Sequence, residues 1–106
     1  MILVIGHAMA RADTVSELLL LSAAHVLRSR AEPGCISHEM GRDALQPLRL
    51  TFVERWADET ALQVHFGAEA SRAFAAALEQ LCDAPPQKTV YQAEALDLAA
   101  LLPAGR

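Results

Sequence analysis

At 106 residues the chain has the size of one small domain, and its 53% hydrophobic content exceeds the roughly 45–50% usual for soluble domains. That surplus predicts a partner surface, most simply a second copy in a twofold homodimer. A net charge of −4 with scattered Lys and Arg excludes the basic face of a nucleic-acid binder. The longest apolar run, Val15 to Leu27, is broken by Ser16, Glu17, Ser22 and His25 and falls short of the roughly 20 apolar residues of a membrane span. No charged leader with an apolar signal segment opens the chain, so the expected location is cytoplasmic.

Ile2 to Met9 reads as a strand, dense in Ile, Leu and Val on both parities. Asp13 is placed to cap a helix from Thr14. The helix buries Val15, Leu18, Leu19, Ser22, Ala23, Val26 and Leu27 at helical spacing. Pro33 forces its end and Gly34 takes the turn. Cys35 opens a second strand that alternates from Ile36 to Arg42, Asp43 to Pro47 turns, and a third strand spans Leu48 to Trp56. One face of that strand carries Leu48, Leu50, Phe52, Glu54 and Trp56, a core-like face with one carboxylate embedded.

Asp58 caps a short helix with Ala61, Leu62, His65 and Phe66 on one side, closed at Gly67. A further helical stretch, Ala70 to Leu81, stops before Pro85 and Pro86, and Lys88 to Ala95 is the last strand, centred on Val90 and Tyr91. The order is that of an α+β, ferredoxin-like βαββαβ domain with a four-stranded antiparallel sheet and helices on one side. Apolar residues on both strand parities predict a second sheet packed on the open face.

Three local patterns occur in order: the turn Glu32-Pro33-Gly34-Cys35, the strand opening Ile36-Ser37-His38-Glu39, and Phe52-Val53-Glu54-Arg55-Trp56 ahead of an acidic helix start. Together they resemble the antibiotic biosynthesis monooxygenase family. His65, nine residues beyond Trp56, and Phe74 on the following helix fit the same pattern. The resemblance covers residues 1 to 96, with 97 to 106 as a tail that would pack on the partner subunit. It implies a dimeric α+β barrel and oxidation of a small phenolic, quinol or polyketide-like substrate by O2, with no cofactor. A small-molecule isomerase and a non-catalytic ligand-binding protein remain open on the same residues. Haem degradation fits less well, since relatives of that kind use a His on the later helix and none follows His65; His7 also stands near where they place an Asn.

No metal-ligand spacing, glycine-rich phosphate loop or nucleotide fingerprint is present. Cys35 and Cys82 lie far apart without clustered His and read as buried thiols. Any chemistry must therefore come from a pocket. His65 is the candidate base, suited to neutral pH. Trp56 could stack on a flat ring and donate its indole N–H to a substrate oxygen, or be a core aromatic. His7, with the parity of Leu3 and Ile5, is expected on a buried face. Glu54 is either a second base or, slightly favoured, an ion-pair partner of Arg42, Arg49 or Arg55. His38 stands where relatives have an aromatic and reads as a filler rather than a catalytic group; with His7, Glu54, Phe52 and Phe66 it is a candidate substrate contact, Phe66 being otherwise core, and His25 reads as structural.

Overall fold

The computed structural model describes residues 1–105. Strand β1 (Ile2–Met9) leads to helix α1 (Val15–Arg30), then strands β2 (Cys35–Arg42) and β3 (Arg49–Trp56), and helices α2 (Glu59–Gly67) and α3 (Glu69–Leu81). Strand β4 (Gln87–Gln92) and a one-turn helix α4 (Leu98–Leu101) complete the chain. The sheet order is β2-β3-β1-β4 with every neighbouring pair antiparallel. This is the expected ferredoxin-like arrangement.

The period-2 rule is visible in both central strands. In β1, Ile2, Val4, Gly6 and Ala8 face the helices; in β3, Leu50, Phe52, Glu54 and Trp56 do. Two apolar clusters result, one around Leu18, Leu50, Phe52 and Phe74, the other around Ile2, Val4, Trp56 and Leu62. Glu54 lies between Phe52 and Trp56 on the strand that serves both.

Helix α1 departs from the expected start and stripe. Its N-cap is Thr14, not Asp13. The Thr14 hydroxyl donates to the Leu81 carbonyl at 2.6 Å and accepts from the Arg11 amide at 3.0 Å, while Asp13 pairs outward with Arg11. The buried face is Leu18, Ser22, His25, Val26 and Ser29. Ala23 is exposed and Leu27 is 71% exposed. With Leu-rich positions all round the helix, apolar spacing alone does not say which side meets the sheet. Here the side bearing His25 does.

The turn after α1 depends on Gly34, whose φ is +81°. Its carbonyl accepts from the Ala57 amide at 2.8 Å, which ties the turn to the start of α2. The expected last strand is shorter, ending at Gln92, and all its residues are exposed. The expected tail contains α4, capped by the Asp97 carboxylate on the Ala99 amide. Its Leu98 and Leu101 are exposed.

Candidate functional site

Small residues on the helix side of β1 leave a cavity. Gly6 and Ala8 stand where larger side chains would fill the space under α2 and α3, and β4 adds Gln87 and Lys88. The cavity holds about 440 Å³, toward the lower end of small-molecule sites. Its apolar wall includes Phe52, Phe66, Phe74 and Leu78. Its polar end is His25, Glu54 and His65, with Arg72 and Lys88 also bordering it. The Lys88 ammonium lies 4.6 Å from the Phe66 ring centre.

His65 is buried on α2, one turn after Ala61. Its Nδ1 lies 2.9 Å from Oε1 of Glu32, in the Glu-Pro-Gly-Cys turn, and 3.4 Å from the Ser71 hydroxyl. An ionised carboxylate only accepts hydrogen bonds, so Nδ1 carries the proton and donates it to Glu32. The lone pair of the neutral ring is then at Nε2. That nitrogen lies 3.8 Å from Oε1 of Glu54.

Glu54 makes none of the expected arginine pairs. Arg49 and Arg55 project to the opposite face of β3, and Arg55 pairs with Glu39 at 3.6 Å. Oε1 of Glu54 accepts instead from the indole N–H of Trp56 at 3.0 Å and lies 3.5 Å from Nε2 of His38. Trp56 therefore does not offer its N–H to a ligand. The ring is completely buried and lies 4.6 Å from His65, centre to centre, as a wall behind that residue.

His38 is no simple filler, since it joins His25 and His65 in a cluster with ring centres 5.2–5.6 Å apart. His25 lies flat against Phe74 at 4.1 Å. His7 stays apart: its ring is on the other parity of β1, with Nδ1 3.3 Å from the Thr51 hydroxyl, although its strand segment borders the cavity. Three imidazoles from positions 25, 38 and 65 meet because α1, β2 and α2 converge on one point. No sequence motif marks them, as their spacing matches no ligand pattern. The usable signal was a His on the α1 stripe and one on the helix-side parity of β2.

Burial holds His25 and His38 neutral. The His25 pKa is lowered from 6.5 to about 3, first by desolvation, then by the charges of His38, His65, Arg28 and Lys88. His38 is lowered to about 4, again first by desolvation, then by His65, Lys88 and Arg30. Both folded values lie below the unfolded one, so the unfolded chain takes up more protons as pH falls. Stability should be level above pH 6.5 and decline from there toward pH 4 and below. Urea unfolding at pH 7 and pH 4.5 checks this, and a smaller decline is expected in His25→Gln.

Fold and site together define a small α+β scaffold with a cavity under its helices bordered by imidazoles and carboxylates. The chain belongs to the antibiotic biosynthesis monooxygenase family, whose model matches residues 1–77. The Mycobacterium tuberculosis protein Rv0793 is 32% identical and superposes with a TM-score of 0.81 over 92% of this chain and 97% of its own. A Deinococcus radiodurans protein, provisionally named an antibiotic biosynthesis monooxygenase, is 25% identical, with a TM-score of 0.87 over 92% of this chain and 98% of its own. An uncharacterized protein of Synechocystis is 30% identical over 91 residues, 86% of this chain. This chain spans 62% of that relative's length. Among the described residues no helix is long and apolar enough to cross a membrane.

Proposed function

We propose that this protein is a monooxygenase that oxidises a small phenolic, quinol or polyketide-like compound with O2, using no cofactor in the step that removes the substrate proton. The observation that carries the reading is the buried His65 at the polar end of an apolar cavity, held from behind by the half-buried Glu32. A phenolic or enolic hydroxyl seated there would lose its proton to Nε2 of His65. The imidazolium so formed is stabilised by Glu32 on Nδ1 and by the nearby Glu54. The substrate anion is electron-rich and is the only reductant of O2: overall it loses two hydrogens and four electrons and gains one oxygen atom as a carbonyl. One oxygen atom ends in the product and the other leaves as water. Arg72 and Lys88 beside the cavity are balanced by Glu54 and Glu79, which suits a neutral phenol or enol, and the cavity's size favours one or two rings.

The reading includes a homodimer formed through the open face of the sheet. Leu3 and Ile5 lie half-buried there, with Tyr91 47% exposed beside Leu3. Covering such a face is what a second sheet does in a dimeric α+β barrel.

The test is oxygen uptake by chelator-treated protein across hydroquinones, anthrones and catechols. Uptake above the uncatalysed rate is expected for at least one class, strongest for the smaller compounds. No uptake with any of them contradicts the reading. Solvent-proton exchange on a bound carbonyl compound without uptake would assign the same base to isomerisation.

A further inference from the structure

His25, His38 and His65 each present a ring nitrogen within 4.8 Å of those of the other two. All three side chains are buried, and Nδ1 of His25 and both ring nitrogens of His38 have no hydrogen-bond partner. A neutral imidazole carries one donor and one acceptor. Leaving both unsatisfied inside a protein is costly, and natural folds avoid it unless the group has another partner. Stacking on Phe74 accounts for the face of His25 but not for its edge nitrogen. Oxygen Oε1 of Glu54, itself buried, adjoins the group on one side, 3.5 Å from His38 and 3.8 Å from His65. Lone pairs gathered in this way, with a carboxylate among them, suit a cation.

We propose that this cluster binds one divalent first-row transition ion of the zinc class, through His25, His38 and His65 with Glu54 as the fourth ligand. Imidazole-rich sites select such ions over the oxygen-seeking magnesium and calcium. Three points no more than 4.8 Å apart lie within about 2.8 Å of a common centre, so closure by less than about 1 Å per ring reaches the 2.0–2.1 Å or so of a zinc–nitrogen bond. The supporting hydrogen bonds are in place. Glu32 accepts from Nδ1 of His65 and so turns Nε2 toward Glu54, and the Trp56 N–H fixes the Glu54 oxygen. An ion has a way in, because His25, His65 and Glu54 line the cavity while His38 sits behind them.

This inference stands apart from the oxygenase reading. An ion here occupies the lone pair of His65 that the reading assigns to proton transfer, so the loaded protein should lose base-driven turnover. Binding itself is measured without any substrate.

The experiment is calorimetric titration of the tag-free, chelator-treated full chain with Zn²⁺, repeated with Co²⁺ for its visible spectrum and followed by NMR of the histidine rings. One ion per chain is expected, with Co²⁺ bands in the visible. The ring signals of His25, His38 and His65 should move while those of His7 stay. Glu32→Gln should weaken binding by about 10- to 100-fold, and His38→Gln by more. The proposal is overturned by an absence of saturable uptake, by uptake that moves His7 alone, or by unchanged affinity in a folded His38→Gln. Should that variant fail to fold, the wild-type ring shifts decide.

Discussion

Gly34→Ala is expected to destabilise the protein by about 2–5 kcal/mol, adding the strain of a left-handed residue to that of overpacking. The backbone there has φ +81°, and an added Cβ would stand 2.5 Å from the Cβ of Ala61. Helix α2 must then move or the turn must reshape. A drop of about 10 °C or more in melting temperature follows for a domain of this size. Gly41→Ala is the control, since nothing lies within 4 Å of its added Cβ and its φ is not positive. Its stability should stay within about 0.5 kcal/mol of wild type. The Gly34 effect reaches the site as well. Ala61 precedes His65 by one turn, and Glu32 precedes Gly34 by two residues, so displacing α2 separates the Glu32–His65 pair.

The second large effect is on turnover. With any compound that supports oxygen uptake, His65→Ala should lower kcat/KM by about 10²–10⁴, the range of a lost general base. Glu32→Gln should cost less, because Nε2 remains while the charge that stabilises its protonated form is gone. The double variant should cost no more than His65→Ala alone, since Glu32 acts only through the ring. Steady-state kinetics of the three variants checks this. Equal and additive losses would show that Glu32 meets the substrate independently.

Much of the scaffold was legible because its signals are local. Strand periodicity in β3 placed Glu54 among core residues, and Pro33 and Gly34 located the turn to within a residue. The environment of Glu54 was not legible in the same way. Arginines at 42, 49 and 55 are near in sequence, but the alternation of a strand sends Arg49 and Arg55 to the far face, and the indole of Trp56, two residues on, takes the carboxylate. The histidine cluster was out of reach for a different reason. His25 sits on a helix apolar nearly all round, so its inward direction is set by packing against β2 and α3 rather than by its own spacing. His38 gains its meaning only when α1 covers β2, and the short lever of α2 then swings His65 onto both. Small residues at Gly6 and Ala8 were visible as sequence, yet the cavity they leave exists only once α3 and β4 frame it.

The central claim is that Glu32 fixes the proton of His65 on Nδ1 and leaves Nε2 free to take a proton at the cavity's polar end. Long-range proton–nitrogen NMR of the ¹⁵N-labelled, chelator-treated protein reads this directly, because protonated and bare ring nitrogens have distinct shifts. The account predicts a protonated Nδ1 and a bare Nε2 in the neutral ring of His65, with this preference lost in Glu32→Gln. A proton resident on Nε2, with Nδ1 bare toward Glu32, would contradict it.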